Sequence, residues 1–189
     1  MKKRQESVEE SRRKVNSAAE QAAAEGRAPR VLFVCLGNIC RSPAAQGIAE
    51  KIARERGLAD YGFDSAGFYG GHRGDLPDRR MRARLHGSAD IGLNTAAARC
   101  ATAISPISIC LSAWTTVTST RLRSAAPTVK DEAKIVRMCD FSTEGFPTMD
   151  CVPDPYYEGP AGFQLVLDML EEGCSDLLDR LEQRAKSTF

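Results

Sequence analysis

The chain has 189 residues, of which 42% are hydrophobic, and this is enough for one globular domain with a sizeable core. Its 26 lysines and arginines nearly balance its 25 aspartates and glutamates, so the net charge does not favour nucleic acid or an anionic membrane as the main partner. The seven cysteines are an odd number without the regular spacing of a disulfide framework, which favours a reducing, cytoplasmic environment.

Residues 1–29 are rich in Glu, Arg, Lys, Gln and Ala and contain almost no large apolar side chain. We expect them to form a charged N-terminal extension, helical or disordered and surrounded by solvent, before a domain over residues 30–189. The first residues are basic, but no apolar run follows them as it would in a signal peptide. No other stretch is long and apolar enough to span a membrane, so we expect a soluble, cytoplasmic protein.

The domain opens with an apolar run over residues 31–34, which predicts a strand covered on both faces of a parallel sheet. A loop follows. Ser42 as a helix N-cap and Pro43 as the first helical residue then predict a helix that ends near Gly57. The predicted unit is a strand, a loop and a helix.

The rest of the chain continues this alternation. Residues 61–67 predict a second strand, and the basic segment over residues 78–87 predicts a second helix. A later strand is expected over residues 133–141. Apolar residues recur at helical spacing over residues 163–181, which predicts a long amphipathic helix near the C-terminus. Alternating strands and helices indicate an α/β sheet.

The loop after the first strand has the spacing Cys35, five residues, Arg41. A tight loop between a strand and a helix N-terminus directs backbone N–H groups inward at one tetrahedral anion, and Arg41 adds a planar fork of donors. Such surroundings favour the thiolate of Cys35, which could attack phosphorus. Gly37 allows the close turn, Asn38 could brace the loop, and Ser42 could donate a hydrogen bond to the sulfur.

The loop segment VCLGNICRSP resembles the signature of the low-molecular-weight protein-tyrosine phosphatases along its whole length. Three further segments resemble motifs of that family in the same order: DSAG from Asp64, HRGDLPDRR from His72 and DPYYEG from Asp154. The resemblance covers most of residues 30–86 and 124–186.

The resemblance implies an α/β fold, namely a three-layer sandwich with a four-stranded parallel sheet and helices on both faces. It implies a phosphatase that hydrolyses phosphotyrosine and small aryl phosphates through a phosphocysteine formed on Cys35. No metal and no cofactor are implied. The expected partner is a phosphotyrosine-containing protein, and we expect a monomer or a weak dimer.

Asp154 is the candidate general acid, because a phosphotyrosine leaves more readily as the phenol than as the phenolate. Its neighbours Pro153 and Pro155 stiffen the backbone and could hold the carboxyl over the loop. The resemblance implies that Asp154 acts first as acid and then as base. It also implies that Tyr156 and Tyr157 form the wall of the substrate cleft.

The resemblance assigns supporting roles to further residues. Ser65 and His72 match positions that form a hydrogen-bond network with the loop asparagine, without contacting the reacting atoms. Cys40 lies where oxidation could join its sulfur to Cys35 in a reversible disulfide. The loop residues expected to bind the substrate are Leu36, Gly37, Asn38, Ile39, Cys40 and Ser42.

Residues from about 88 to 121 depart from the family, which has there an acidic and aromatic run leading into a strand. Codons permitted for this segment, read two nucleotides later, can encode a peptide like HRSRQVRDGDFPDFDL followed by MDDR. We therefore hypothesise two compensating frame changes, one near Ser88 and one near Arg121, which the nucleotide sequence would test. A changed core strand would affect mainly stability, since the proposed catalytic residues lie elsewhere.

Two other functions stay open from the sequence. An arsenate reductase of the same fold would use the loop on another oxyanion and would need relay cysteines, for which Cys100 and Cys110 are candidates. A non-catalytic phosphotyrosine-binding module would keep the loop but fail to align Asp154. Arsenate reduction coupled to a thiol donor, or binding without turnover, would distinguish them.

Overall fold

The structure is a computed structural model, and it describes residues 2–89, 91–93, 96–97, 109–112 and 116–186. The helices are α1 Lys2–Ala24, α2 Arg41–Glu55, α3 Arg79–Ala89, α4 Thr116–Ala125, α5 Val129–Ala133 and α6 Gly159–Lys186. The strands are β1 Arg30–Cys35, β2 Gly62–Gly67, β3 Ile109–Ser112 and β4 Ile135–Val136. Short 3-10 turns cover Gly70–His72, Met138–Asp140 and Pro155–Tyr157.

The strands pair in parallel in the order β2-β1-β3-β4, so β1 is paired on both sides. The expectation of an α/β fold with a parallel sheet is confirmed. The strand expected over residues 133–141 is much shorter, because β4 ends at Val136 and a 3-10 turn takes its place at Met138–Asp140. The buried carboxylate of Asp140, which binds two arginines, draws the chain away from the sheet there.

Alternate side chains of β1 enter two different cores, as expected for a central strand. Val31 and Phe33 belong to the larger core, to which α2, α3, α6 and one face of α1 contribute. Leu32 and Val34 belong to a smaller core with Leu122 of α4. Helices therefore lie on both faces of the sheet, and the carboxyl end of β1 is held between them.

Helix α2 begins two residues earlier than expected, at Arg41 rather than Pro43, and Ser42 is not its N-cap. Cys40 occupies the N-cap position and makes no side-chain capping bond. The Ser42 hydroxyl is directed toward Cys35 instead, which removes it from a capping role. The helix ends before Gly57, whose φ of 73° suits a residue without a Cβ atom.

Helix α1 is packed against the domain, mainly on α6, and the expectation of a solvated extension is wrong for one of its faces. Its buried residues recur three or four positions apart: Val8, Ser11, Val15, Ala19 and Ala22. These side chains are small, so the helix can approach its neighbours closely without any large apolar residue. The polar composition of this segment therefore hides its buried face, which is set by the spacing of a few small residues.

The segment that departs from the family is only partly described. Its strand β3 lies between β1 and β4, and Ile91 and Leu93 are buried against Gly47 of α2. Most of its other residues lie outside the described part, and the two frame changes stay a prediction. Within the described ranges, no helix has an apolar stretch long enough to cross a bilayer.

Candidate functional site

The candidate site lies at the carboxyl ends of β1 and β2, at the N-terminus of α2. Cys35 is the last residue of β1 and Arg41 is the first of α2, so the residues between them form a loop from strand to helix. Asn38 in this loop has a φ of 56°, a left-handed conformation that asparagine tolerates better than most residues. The backbone therefore turns sharply at Asn38.

The Cys35 sulfur lies in a buried polar pocket. The backbone N–H of Asn38 donates to it at 3.2 Å, and the Ser42 hydroxyl lies 3.0 Å away. The Ser42 oxygen already accepts from Nδ2 of Asn38 at 2.8 Å, which leaves its single proton for Cys35 Sγ or for the carbonyl of Ala66 at 3.3 Å. A thiolate at Cys35 would therefore meet two donors.

The Asn38 side chain braces the loop against the next strand. Its Nδ2 donates to Oγ of Ser65 at 3.0 Å as well as to Ser42, and both serines are buried. Gly67, at the end of β2, also lies directly against the backbone of the loop. A Cβ atom there would lie 2.8 Å from the carbonyl oxygen of Leu36 and 2.9 Å from the nitrogen of Asn38. Only glycine allows β2 to lie so close to the loop.

Arg41 and Asp154 meet at the mouth of the loop. The buried Arg41 guanidinium donates to Oδ2 of Asp154 at 2.7 Å and to the carbonyl of Val152 at 3.5 Å. The Oδ1 atom of Asp154 accepts from the backbone N–H of Tyr156 at 3.2 Å. The carboxyl is 41% exposed, so it faces the open side of the cleft while the guanidinium lies inside.

A cleft with a volume of about 340 Å³ opens above Cys35. This volume is within the range that small-molecule ligands occupy. Tyrosines form much of its rim: Tyr69, Tyr156 and Tyr157. The rings of Tyr156 and Tyr157 meet edge to face with centroids 5.0 Å apart. Tyr69 belongs to none of the motifs in the sequence, and its position just after β2, at the carboxyl edge of the sheet, is the signal that could have found it.

His72 also lines the cleft. Its Nδ1 lies 3.1 Å from Oδ2 of Asp75, and its ring meets that of Tyr69 edge to face with centroids 5.4 Å apart. The loop backbone at Gly37 passes beside the imidazole. Leu36 and Ile39 complete the lining from the loop itself, and Leu36 is well exposed.

Cys40 is a second loop cysteine in different surroundings. Burial raises its pKa to about 12, and the negative charges of Asp78 and Cys35 act in the same direction. Hydrogen bonds from Arg80 lower the pKa of Asp78, whose backbone N–H donates to the carbonyl of Ile39 at 2.7 Å. Cys40 is therefore a neutral thiol at physiological pH.

Neither of the two candidate relay cysteines of an arsenate reductase has a side chain that the structure describes. Cys100 lies outside the described residues, and of Cys110 only the backbone in β3 is described. Among the residues that the structure describes, no three His, Cys, Asp or Glu side chains are grouped so that they could hold a metal ion.

Comparison with known proteins gives consistent matches to one family. The model of the family "Low molecular weight phosphotyrosine protein phosphatase" matches residues 30–187. A putative low molecular weight protein-tyrosine-phosphatase of Synechocystis sp. is 39% identical over 153 residues, which are 80% of this chain and 96% of that protein. A low molecular weight protein-tyrosine-phosphatase of Streptomyces coelicolor is 36% identical over 162 residues, covering 83% and 96% of the two chains.

Solved structures agree with these matches. The crystal structure of a protein tyrosine phosphatase from Entamoeba histolytica, with Hepes in the active site, superimposes with a TM-score of 0.76 at 34% identity. The alignment covers 82% of this chain and 98% of that one. With the family model matching most of the sequence and the loop from Cys35 to Arg41 at the expected edge of the sheet, the chain belongs to the low molecular weight protein-tyrosine phosphatases.

Proposed function

We propose that this protein hydrolyses phosphotyrosine in proteins with Cys35 as nucleophile, Arg41 as phosphate ligand and Asp154 as general acid and base. The observation that carries the proposal is the convergence of three groups at one cleft: a buried sulfur with two donors, a buried guanidinium, and a carboxyl at the rim. These are the nucleophile, anion ligand and proton donor that phosphoryl transfer needs.

In the first step the phosphoryl oxygens bind to the loop N–H groups and to Arg41. The phosphoryl group takes the place of Asp154 on the guanidinium, which leaves this carboxyl at the rim beside the ester oxygen. The Cys35 sulfur attacks phosphorus and the bond from phosphorus to the phenolic oxygen breaks. Asp154 gives its proton to that oxygen, so the product leaves as a neutral phenol.

In the second step a water molecule attacks phosphorus of the phosphocysteine, and Asp154 accepts a proton from the water. The sulfur–phosphorus bond breaks, inorganic phosphate forms, and the electron pair returns to the Cys35 sulfur. The Ser42 hydroxyl, 3.0 Å from that sulfur, donates a hydrogen bond to it as it leaves. The backbone N–H of Asn38 does the same at 3.2 Å.

The rim of the cleft supports an aryl substrate. Tyr69, Tyr156 and Tyr157 offer aromatic faces and edges, which attract another aromatic ring by offset or edge-to-face packing. Leu36 and Ile39 add apolar surface from the loop. A phosphorylated serine has no ring to fill this space, so the same loop would bind it less well than a phosphotyrosine.

The test is turnover of a phosphotyrosine peptide and of phenyl phosphate by the purified chain, without added metal. We expect Cys35→Ser to reduce turnover to background, because the hydroxyl is not ionised at neutral pH. We expect the same chain to act far more slowly on a matched phosphoserine peptide. Turnover that survives in Cys35→Ser would refute the proposed nucleophile.

The proposed acid has its own test, a comparison of two leaving groups. Asp154→Asn should lower kcat/KM for phenyl phosphate by about 10²-fold to 10⁴-fold. It should change kcat/KM for 2,4-dinitrophenyl phosphate little, because a dinitrophenolate leaves without a proton. Equal losses for both substrates would contradict the assignment of Asp154.

A further inference from the structure

Helix α1 contacts the segment that carries Asp154, although it lies before the part of the chain that the family model matches. We call residues 141–154 the acid loop. The Arg4 side chain is only 11% exposed and lies against this loop. Its Nε donates to the carbonyl of Pro147 at 3.2 Å, and its terminal nitrogen donates to the carbonyl of Cys139 at 2.8 Å. One arginine of α1 thus joins the turn just before the acid loop to the middle of that loop.

The second part of this contact is the carboxylate of Asp140, whose side chain is fully buried. Its Oδ2 accepts from the Ser11 hydroxyl at 2.6 Å and from the Ser7 hydroxyl at 3.1 Å, both on α1. Its Oδ1 faces Arg4 at 3.4 Å and Arg137 at 2.7 Å. A buried carboxylate is stable only with such partners, so the bonds from α1 to Asp140 favour the docking of this helix.

The contact continues toward the site. Arg137, oriented by Asp140, donates to the carbonyl of Asp150 at 3.4 Å, and the Cys139 thiol donates to the same oxygen at 3.2 Å. Asp150 is only a few residues before Asp154. Between them, the carbonyl of Val152 accepts a hydrogen bond from Arg41. Prolines on both sides of Asp154 limit local adjustment, so a shift at Asp150 is carried to the carboxyl.

We propose that α1 is a clamp that positions the general acid, with Arg4 as its main positioning residue. The clamp consists of Arg4, Ser7 and Ser11 of α1 bound to residues 139–140 and to the acid loop. The clamp takes no part in bond making or breaking. It fixes the position of the backbone at Asp154. The inference rests on the proposed role of Asp154 as proton donor.

The test must separate a displaced acid from a generally weakened enzyme. The ratio of kcat/KM for phenyl phosphate to kcat/KM for 2,4-dinitrophenyl phosphate does so. Both substrates use the same loop and nucleophile, and kcat/KM reports only on steps up to cleavage of the first phosphorus–oxygen bond. The phenyl ester needs a proton from Asp154 and the dinitrophenyl ester does not, so a loss of folded protein leaves the ratio unchanged.

We expect Arg4→Ala to lower kcat/KM for phenyl phosphate by about tenfold, because a carboxyl displaced by a fraction of an ångström transfers its proton less efficiently. The value of kcat/KM for 2,4-dinitrophenyl phosphate should fall by less than about twofold. Arg4→Lys keeps the charge but not the fork and should give an intermediate ratio. Arg13→Ala is the matched control, because Arg13 lies on the same helix with an exposed side chain. Its ratio should equal that of the parent chain.

An unchanged ratio in Arg4→Ala, whether both activities fall together or neither falls, overturns the clamp. If Arg4→Ala does not fold, as judged by thermal unfolding, Arg4→Lys is measured in its place with the same two outcomes. Asp154→Asn, measured alongside, identifies which inference has failed. A changed ratio in Asp154→Asn with an unchanged one in the Arg4 variant refutes only the clamp, whereas an unchanged ratio in Asp154→Asn refutes the proposed acid.

Discussion

The loop from Cys35 to Arg41, here called the site loop, and helix α1 each hold the same part of the chain with an arginine that has little exposed surface, Arg41 and Arg4. The two arginines are encoded differently. Arg41 lies six positions after Cys35 in one continuous motif. Arg4 lies 143 positions from Pro147, whose carbonyl it binds. Arg41 contacts the acid loop at its end, at Asp154, and Arg4 contacts it at its middle, at Pro147. A continuous motif can be recognised from the sequence, whereas an arginine in a charged helix looks like any solvent-exposed one.

Charge and composition alone therefore do not identify a solvated segment. Helix α1 has a strongly polar composition, but its polar groups Arg4, Ser7 and Ser11 all find buried partners around Asp140. Substitutions in the site loop should therefore affect activity strongly, whereas substitutions in α1 should affect mainly stability and the position of Asp154.

Arg41→Lys tests whether the guanidinium of the site loop acts through its shape. The variant keeps the positive charge but loses the planar fork with which Arg41 is proposed to bind two phosphoryl oxygens. We expect kcat/KM for phenyl phosphate to fall by about 10²-fold to 10³-fold. The measurement is steady-state kinetics, with inhibition by inorganic phosphate as a measure of anion binding. If Arg41→Lys kept more than about a tenth of the activity, charge alone would be sufficient.

Gly67→Ala tests the close contact between β2 and the site loop. The added methyl group would lie within 3 Å of the backbone of Leu36 and Asn38, so the loop must move. We expect activity on phenyl phosphate to fall by about 10²-fold, since small displacements of a reacting group are costly. Gly87→Ala on α3 is the control, because nothing lies within 4 Å of its Cβ position. Equal activity in the two variants would show that the loop tolerates the displacement.

Val15→Ala tests whether α1 is packed as the structure shows. Val15 is completely buried, and losing two methyl groups should lower the free energy of unfolding by about 2 kcal/mol. Ser17→Ala, at an exposed position of the same helix, should change it by no more than about 0.5 kcal/mol. Urea denaturation measures both values. If Val15→Ala is as stable as Ser17→Ala, α1 is not packed on the domain in solution.

Alkaline pH should lower the free energy of unfolding through one buried thiol in each of the two regions. Burial raises the pKa of Cys40 in the site loop to about 12 and that of Cys139 beside Arg4 to about 11, from an ordinary value of 9.0. Above pH 9 the unfolded chain loses these protons first, so the free energy of unfolding falls as pH rises toward 11 and 12.

Each thiol contributes at most about 1.4 kcal/mol per pH unit in that window, and nothing below pH 9. Cys40→Ala and Cys139→Ala should each make the alkaline decrease less steep when urea denaturation is measured at several pH values. An unchanged slope in both variants would mean that neither thiol is buried in solution.

Much of the α/β fold was predictable from the sequence because the signals are local. The apolar run of β1, the spacing from Cys35 to Arg41 and the helical pattern of α6 each lie within one continuous stretch. The extent of β4 was not predictable, since residues 137–141 have the pattern of a strand but turn away to bury Asp140. Tyr69 was missed because a single aromatic residue carries no motif.

The strand, loop and helix that hold Cys35 and Arg41 follow from local sequence, because neighbouring residues and backbone sterics suffice to form that unit. The tertiary fold is needed to bring the carboxyl of Asp154 to 2.7 Å from Arg41, across 113 positions of the chain. It is also needed to pack α1 against the domain, with Arg4 against the acid loop. Such contacts arise from how helices and strands pack together, and the energy of burying a charge with its partners appears only when distant segments meet.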